Sequence, residues 1–242
     1  MNNPLVSVVT VSYNAVSTIE QTIVSVLNQT YPHVEYVIID GGSTDGTLDI
    51  IRKYAGRLAY WTSEPDKGIF DAMNKGLRKA TGEWINFMNA GDCLFDCHVI
   101  ENTFKKEYDA QVGVVFGSTM TVKGIMKMKP FIYSKKKYNP MGICHQSLFV
   151  RTELAKEIKF DLSYEVAADY NMIMQIYKRG YFFVDLKTPV SMYDLTGFSY
   201  QHPKTQKKEE ARICGVTASL CYKKWLFAYK IKRCVKSLIG MQ

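Results

Sequence analysis

The sequence predicts an α/β chain with a largely parallel central sheet flanked by helices. Two observations predict it. Four short β-branched or aromatic runs alternate with three helical patterns over roughly the first ninety residues. One of those runs, Val37-Ile38-Ile39-Asp40, stops at an acid and turns through Gly41-Gly42-Ser43-Thr44-Asp45-Gly46. A continuous apolar run suits a strand covered on both faces, and the glycine-rich stretch after it cannot continue one. Asp40 is therefore expected at the carboxyl end of a strand, on the edge where open α/β sheets bind ligands.

Leu5–Val11 reads as the first strand, ending at Ser12-Tyr13-Asn14. Ser17-Thr18-Ile19-Glu20 has the spacing of a capping box, and Ile19, Ile23, Val26 and Leu27 then share one helical face. With the strand at Asp40 they make a right-handed βαβ unit. Ser43 or Asp45 is expected to cap a second helix carrying Leu48, Ile51, Tyr54 and Ala55. Ala59–Ser63 is the third strand, stopped by Glu64-Pro65-Asp66-Lys67-Gly68. Phe70, Met73, Leu77 and Ala80 give the third helix, with Gly82 placed for a left-handed cap. Trp84–Met88 is the fourth strand and delivers Asn89-Ala90-Gly91-Asp92 at its end.

The pattern then loosens. Val99–Tyr108 reads as helix, Val112–Phe116 as strand, Gly117–Met128 as paired strands, and Lys127–Asn139, with Pro130 and Pro140 nearby, as a loop. His145–Val150 reads as a strand, Ala168-Asp169-Tyr170 opens a helix closed at Arg179-Gly180, and Tyr181–Val184 and Val190–Tyr193 are late strands. From there two units are expected: residues 1–203, and a basic, aromatic helical extension over 204–242.

Composition narrows the class. An apolar fraction of 47% and a charged fraction of 22% fit a globular chain able to bury a core. No run is long enough to span a membrane, and the N-terminal residues lead straight into a strand rather than a signal peptide, so a cytoplasmic location is expected. Six cysteines are too sparse for a disulfide scaffold, and Cys93, Cys97 and His98 lack the second pair of a zinc site. The net charge of +8 is concentrated at Lys135-Lys136-Lys137 and beyond Lys204, where Trp225, Phe227 and Tyr229 interleave with lysines. That tail suits an anionic membrane surface at the inner face of the cytoplasmic membrane, or packing on the domain. No nucleic-acid module is present, so no nucleic-acid partner is expected.

In their order the motifs Val9–Asn14, Ile39–Thr47, Glu64–Gly76 and Phe87–Asp92, followed by His145-Gln146 and Asp169, resemble a family 2 glycosyltransferase of the GT-A nucleotide-diphospho-sugar transferase fold, of the bacterial surface-polysaccharide type. The resemblance covers about Leu5–Tyr193. It implies transfer of a sugar from a nucleotide-diphosphate donor, expected to be a UDP-sugar, to a hydroxyl of a glycan or lipid-linked acceptor by inverting single displacement. It implies that Asp40 hydrogen-bonds the base, with Thr10, Ser12, Tyr13, Asn14, Gly41, Asp66, Lys67, Asn89 and Gly91 around the donor. Asp92 stands at the end of the metal motif, here Asn-Ala-Gly-Asp instead of Asp-x-Asp-Asp, and implies Mg²⁺ or Mn²⁺ held by one carboxylate. Asp169 matches the catalytic base. His145 and Gln146 are expected on the acceptor side, and Gly197, Ser199 and His202 in a loop over the donor, with His202 a second metal contact. The competing expectation is a scaffold of this fold that binds a membrane or partner through its basic tail. A nucleotidyltransferase is disfavoured because Ser12-Tyr13-Asn14-Ala15-Val16 lacks a glycine-rich phosphate loop.

Overall fold

A computed structural model of the chain describes residues 3–121, 124–126, 144–193, 202–217, 223–224 and 227. The expectations for Lys127–Asn139, Gly197, Ser199 and the aromatic tail from Trp225 onward lie outside these residues, apart from Phe227.

The first half follows the alternation in the sequence. Strand β1 (Val6–Ser12), helix α1 (Ile19–Leu27), β2 (Val34–Asp40), α2 (Thr47–Tyr54), β3 (Tyr60–Ser63), α3 (Ile69–Lys79) and β4 (Trp84–Phe87) form a parallel array in the order β3-β2-β1-β4. Val9, Val11, Val37 and Ile39 face α3, while Val6, Val8, Tyr36 and Ile38 face α1 and α2, so the strands are apolar on both sides. Helix α3 lies very close to the sheet. A Cβ on Gly76 would come within 2.3 Å of Val9 Cγ1, so only a hydrogen fits there.

Two local expectations are corrected. Helix α1 starts without a side-chain cap: the backbone amides of Thr18 and Ile19 bond to Ala15 O, and Glu20 instead accepts from the Tyr54 hydroxyl at 2.9 Å. Gly82 is not a left-handed cap. A side chain there would meet Leu5 O at 2.6 Å and Ser7 N at 2.7 Å, so the glycine serves a close approach between chain segments. Asp45, by contrast, does hold the start of α2, accepting from the backbone amide of Thr47 at 3.1 Å and from its hydroxyl at 2.6 Å.

Beyond β4 the sheet becomes mixed. The short strand β5 (Cys93–Leu94) is followed by α4 (Val99–Phe104), shorter than expected, and β6 (Val112–Thr121), which runs on into a hairpin with β7 (Gly124–Met126). His145–Ser147 is a 3₁₀ turn rather than strand, and β8 (Leu148–Arg151) follows it, antiparallel to both β4 and β6. Then come α5 (Thr152–Ile158), α6 (Ala168–Lys178), a single long β9 (Phe182–Met192) in place of two late strands, and α7 (Pro203–Ile213). Strand β9 pairs with β6 through three register shifts, and Lys187 within it has a φ of 62°.

Helix α7 packs against α6, with Ala211, Ile213, Cys214 and Val216 buried together with Ala167, Tyr170 and Met174. That packing crosses the boundary expected at 203/204. Among the described residues, Cys93, Cys97, Cys144 and Cys214 form no disulfide with one another. No helix among the described residues is long and apolar enough to cross a membrane.

Candidate functional site

The carboxyl ends of β1, β2 and β3 and the turn after β4 open into one cleft of about 980 Å³. Its walls include Ser12, Tyr13, Gly41, Asp66, Lys67 and Asn89 from the expected donor set, and Leu162–Glu165 from the segment before α6. This is the switch edge of the parallel array, where ligand sites of such sheets form.

Asp40 is the knot beneath the cleft and does not line it. Its side chain is fully buried, and Oδ1 accepts from the hydroxyls of Ser12 at 2.9 Å and Ser43 at 2.6 Å. Oδ2 accepts from the amides of Gly42 at 3.0 Å and Ser43 at 2.8 Å and from the Ser63 hydroxyl at 2.7 Å. A carboxylate offers about four lone-pair positions, so five donors leave none for a base. Burial pushes the Asp40 carboxyl up, but the hydrogen bonds from Ser43, Ser63 and Ser12 outweigh it and hold the group below the ordinary carboxylate range. Asp40, expected at the base, is found with its carboxylate tying three strand ends together beneath the cleft.

Thr10 is likewise turned away. Alternation along β1 puts it on the α1 side, where its hydroxyl lies 2.9 Å from Tyr36 Oη and donates to Met88 O at 2.7 Å. Asn14, with a φ of 47°, links the loops after β1 and β2: its backbone amide donates to Ser43 Oγ at 2.8 Å, and its Oδ1 accepts from the Thr44 amide at 3.0 Å. Tyr13 projects into the opening, 67% exposed. Lys67 is exposed, and its ammonium makes no ion pair with Asp66 or any other described residue.

On the other side three segments meet. Asn89 Nδ2 is 3.0 Å from His145 Nε2, and His145 Nδ1 is 3.1 Å from Asp169 Oδ2, in the first turn of α6. With the Asn89 amide so assigned, the imidazole accepts at Nε2 and donates at Nδ1 to the Asp169 carboxylate. Asp169 Oδ1 also accepts from the Tyr170 amide at 2.7 Å, which fixes both oxygens. Gln146, expected on the acceptor side, is 3% exposed and donates through Nε2 to Asp92 Oδ2 at 2.8 Å. The 3₁₀ turn explains the pair: a strand would send residues 145 and 146 to opposite faces, whereas here both side chains reach the Asn89–Asp92 turn. Gly91, with a φ of 103°, shapes that turn and donates to Thr22 Oγ1 at 3.0 Å. His202 stands at the N-cap of α7.

Metal fit can be judged from the donors. Among the described residues no three His, Cys, Asp or Glu side chains cluster to hold an ion. Asp92 offers a carboxylate, and Asn89 Oδ1, in the same turn, is a buried acceptor without a hydrogen-bond partner. Two hard oxygen donors suit Mg²⁺ or Mn²⁺ only when phosphate oxygens and water complete the shell, as nucleotide sites do.

Sequence reasoning missed Gln146 as the partner of Asp92 and Glu165 as a wall of the cleft; no local pattern marks either, since both depend on contacts between distant segments. It also missed Glu209, whose carboxylate accepts from the amides of Glu165 at 2.8 Å, Val166 at 2.9 Å and Ala167 at 2.9 Å.

Comparison with known proteins agrees with this geometry. Residues 7–166 match the profile of the family described as Glycosyl transferase family 2. An uncharacterized glycosyltransferase of Mycobacterium tuberculosis (strain ATCC 25618 / H37Rv) is 31% identical over 179 residues, 71% of this chain and 68% of that protein. The Bacillus subtilis (strain 168) glycosyltransferase TuaG, named for teichuronic acid biosynthesis, is 45% identical over 92 residues, 37% of this chain and 36% of that protein. In fold, the chain is similar to a mannosyltransferase from Pyrobaculum calidifontis solved with GDP-Man and Mn²⁺, with a TM-score of 0.69 and 23% identity over 90% of this chain and 65% of that one. The likeness thus spans just under two thirds of the solved enzyme, and it supports the GT-A fold.

Proposed function

The chain belongs to glycosyl transferase family 2, and from that premise we propose that it transfers a sugar from a nucleotide-diphosphate donor, a UDP-sugar in the first instance, to a hydroxyl of a glycan or lipid-linked acceptor in surface polysaccharide synthesis. One observation carries the reading. The cleft at the strand ends has a nucleotide-sized volume, and its Asn89 wall is joined through His145 to a carboxylate held at the start of α6.

The chain's own groups divide the work. Tyr13 offers an exposed ring on which a base can stack, and Lys67 a free ammonium for phosphate. Asp169 takes the proton of the acceptor hydroxyl as that oxygen attacks the anomeric carbon, the bond to the diphosphate breaks, and the configuration inverts. His145 holds the Asp169 carboxylate in one orientation, in the first turn of α6. Asp92 and Asn89 would hold a divalent cation, which when bound neutralises charge on the diphosphate leaving group. The basic tail would keep the enzyme near an anionic membrane surface carrying such acceptors, a reading supported by its composition.

The test is thermal stability with UDP, GDP, dTDP and CMP at about 1 mM, with Mn²⁺ and again with chelator. A dissociation constant near 10 μM would add about 2.7 kcal/mol, or a melting shift of about 5–10 °C for a chain of this size. Asp169→Asn should keep the shift and lower UDP release with acceptor about a hundredfold or more. No shift with any nucleotide, together with binding to anionic vesicles, would overturn the transferase reading in favour of a scaffold.

A further inference from the structure

With Asp40 fully occupied, a base in the cleft needs another acceptor, and the structure holds one in an unusual place. A Cβ built on Gly41 would lie 2.5 Å from Asp66 Oδ2, 3.3 Å from Asp66 Cγ and 3.3 Å from Tyr13 Cδ2. The Asp66 carboxylate thus fills the space that a side chain at position 41 would take, beside the exposed Tyr13 ring. Backbone conformation does not explain the glycine, because Gly42, and not Gly41, has a positive φ, at 84°. Space explains it.

We propose that Asp66 is the carboxylate that reads the nucleotide base, and that Gly41 lacks a side chain in order to seat it. The assignment rests on the nucleotide-sugar reading above. Asp66 Oδ1 is fixed by the Gly68 amide at 2.8 Å, whereas Oδ2 takes no hydrogen bond from the described residues and lies on the cleft wall. The turn that carries it is braced at both ends: Lys75 Nζ donates to Pro65 O at 2.8 Å and pairs with Glu64 at 3.0 Å, and Asp71 accepts from the Lys67 amide at 3.0 Å. A carboxylate held this way accepts but cannot donate. It therefore favours bases whose Watson–Crick edge carries a ring N–H, namely uracil, thymine and guanine. Cytosine and adenine present a ring acceptor at that position and are repelled.

Binding of UDP, GDP, CDP and ADP is measured by titration calorimetry on the wild type and on variants. The wild type should bind UDP, GDP or both, and prefer them over CDP and ADP by about tenfold or more, the scale of one hydrogen bond to a charged group. Asp66→Ala should lose that preference. Gly41→Ala removes no polar group, yet it should weaken binding about tenfold by displacing the carboxylate. The double variant Gly41→Asp with Asp66→Ala returns an acid to the same space and should recover part of the loss, which separates reading of the base from misfolding. Undiminished UDP or GDP binding by Asp66→Ala overturns this assignment alone. Absence of nucleotide binding by the wild type overturns the transferase reading and this inference with it.

Discussion

Glu209 Oε2, on α7, lies 2.9 Å from the backbone nitrogen of Val166 and accepts its hydrogen bond, and the same carboxylate serves the amides of Glu165 and Ala167. One side chain from the C-terminal part of the chain thus anchors the segment that walls the cleft and leads into Asp169. Removing it leaves buried amides without partners, at a cost of about 1–3 kcal/mol. Glu209→Ala should melt several degrees lower, with Glu209→Gln in between. A melting curve for Glu209→Ala that overlays the wild type would contradict this.

Asp40 should give the fold an acid limb. Its folded carboxyl titrates below its unfolded value, so its contribution is present above the unfolded pKa and is lost as pH falls through the folded one. Stability of the wild type, measured by denaturant midpoint between neutral pH and about pH 3, should therefore fall at the acid end. Asp40→Asn should be less stable at neutral pH and show a shallower fall. An unchanged slope in Asp40→Asn would assign the acid limb to other carboxylates.

Gly76 should resist a substitution that helix propensity favours. Alanine in a helix interior is better than glycine by about 1 kcal/mol, yet its Cβ would sit 2.3 Å from Val9 Cγ1. Overpacking of this kind costs about 1–3 kcal/mol, so Gly76→Ala should be net destabilising. Combining it with Val9→Ala should recover part of the loss, and purely additive destabilisation in the pair would show that the contact is not its cause.

His145 should act on turnover and spare donor affinity. His145→Ala frees Asp169 Oδ2 from its imidazole, and kcat should fall about tenfold or more, the scale of one hydrogen bond to a carboxylate. The nucleotide-induced melting shift should stay as in the wild type, and His145→Gln, which keeps a donor of similar reach, should recover part of kcat. Equal loss in Ala and Gln variants, accompanied by a lower melting point, would reduce His145 to a packing residue.

The parallel half of the fold was legible because its strands are uninterrupted β-branched runs and its helices keep their apolar spacing, as Ile19, Ile23 and Val26 show. The later strands were less so. Gly117, Ser118 and Thr119 continue β6 without an apolar signal, and the register shifts of β9 break the alternation that would have joined Tyr181–Val184 to Val190–Tyr193. Within the site, the sequence brought Asp40, Asp66, Asp92 and Asp169 to attention as acids at element ends. Which of them is buried under five donors and which keeps an open oxygen depends on Ser12, Ser63 and Gly41 meeting across strands, and no spacing rule encodes that.

The residues that tie Asp40 down all fall between Ser12 and Ser63, one contiguous stretch of chain. The Asn89–His145–Asp169 line instead joins positions 56 and 24 residues apart. In heredity this means that the knot travels as one contiguous piece of sequence, whereas the facing line needs three separated segments to stay compatible. Exchanges after Asp92 pass the knot on whole, so diversification within such a lineage should leave Ser12, Asp40, Ser43 and Ser63 to vary together or not at all.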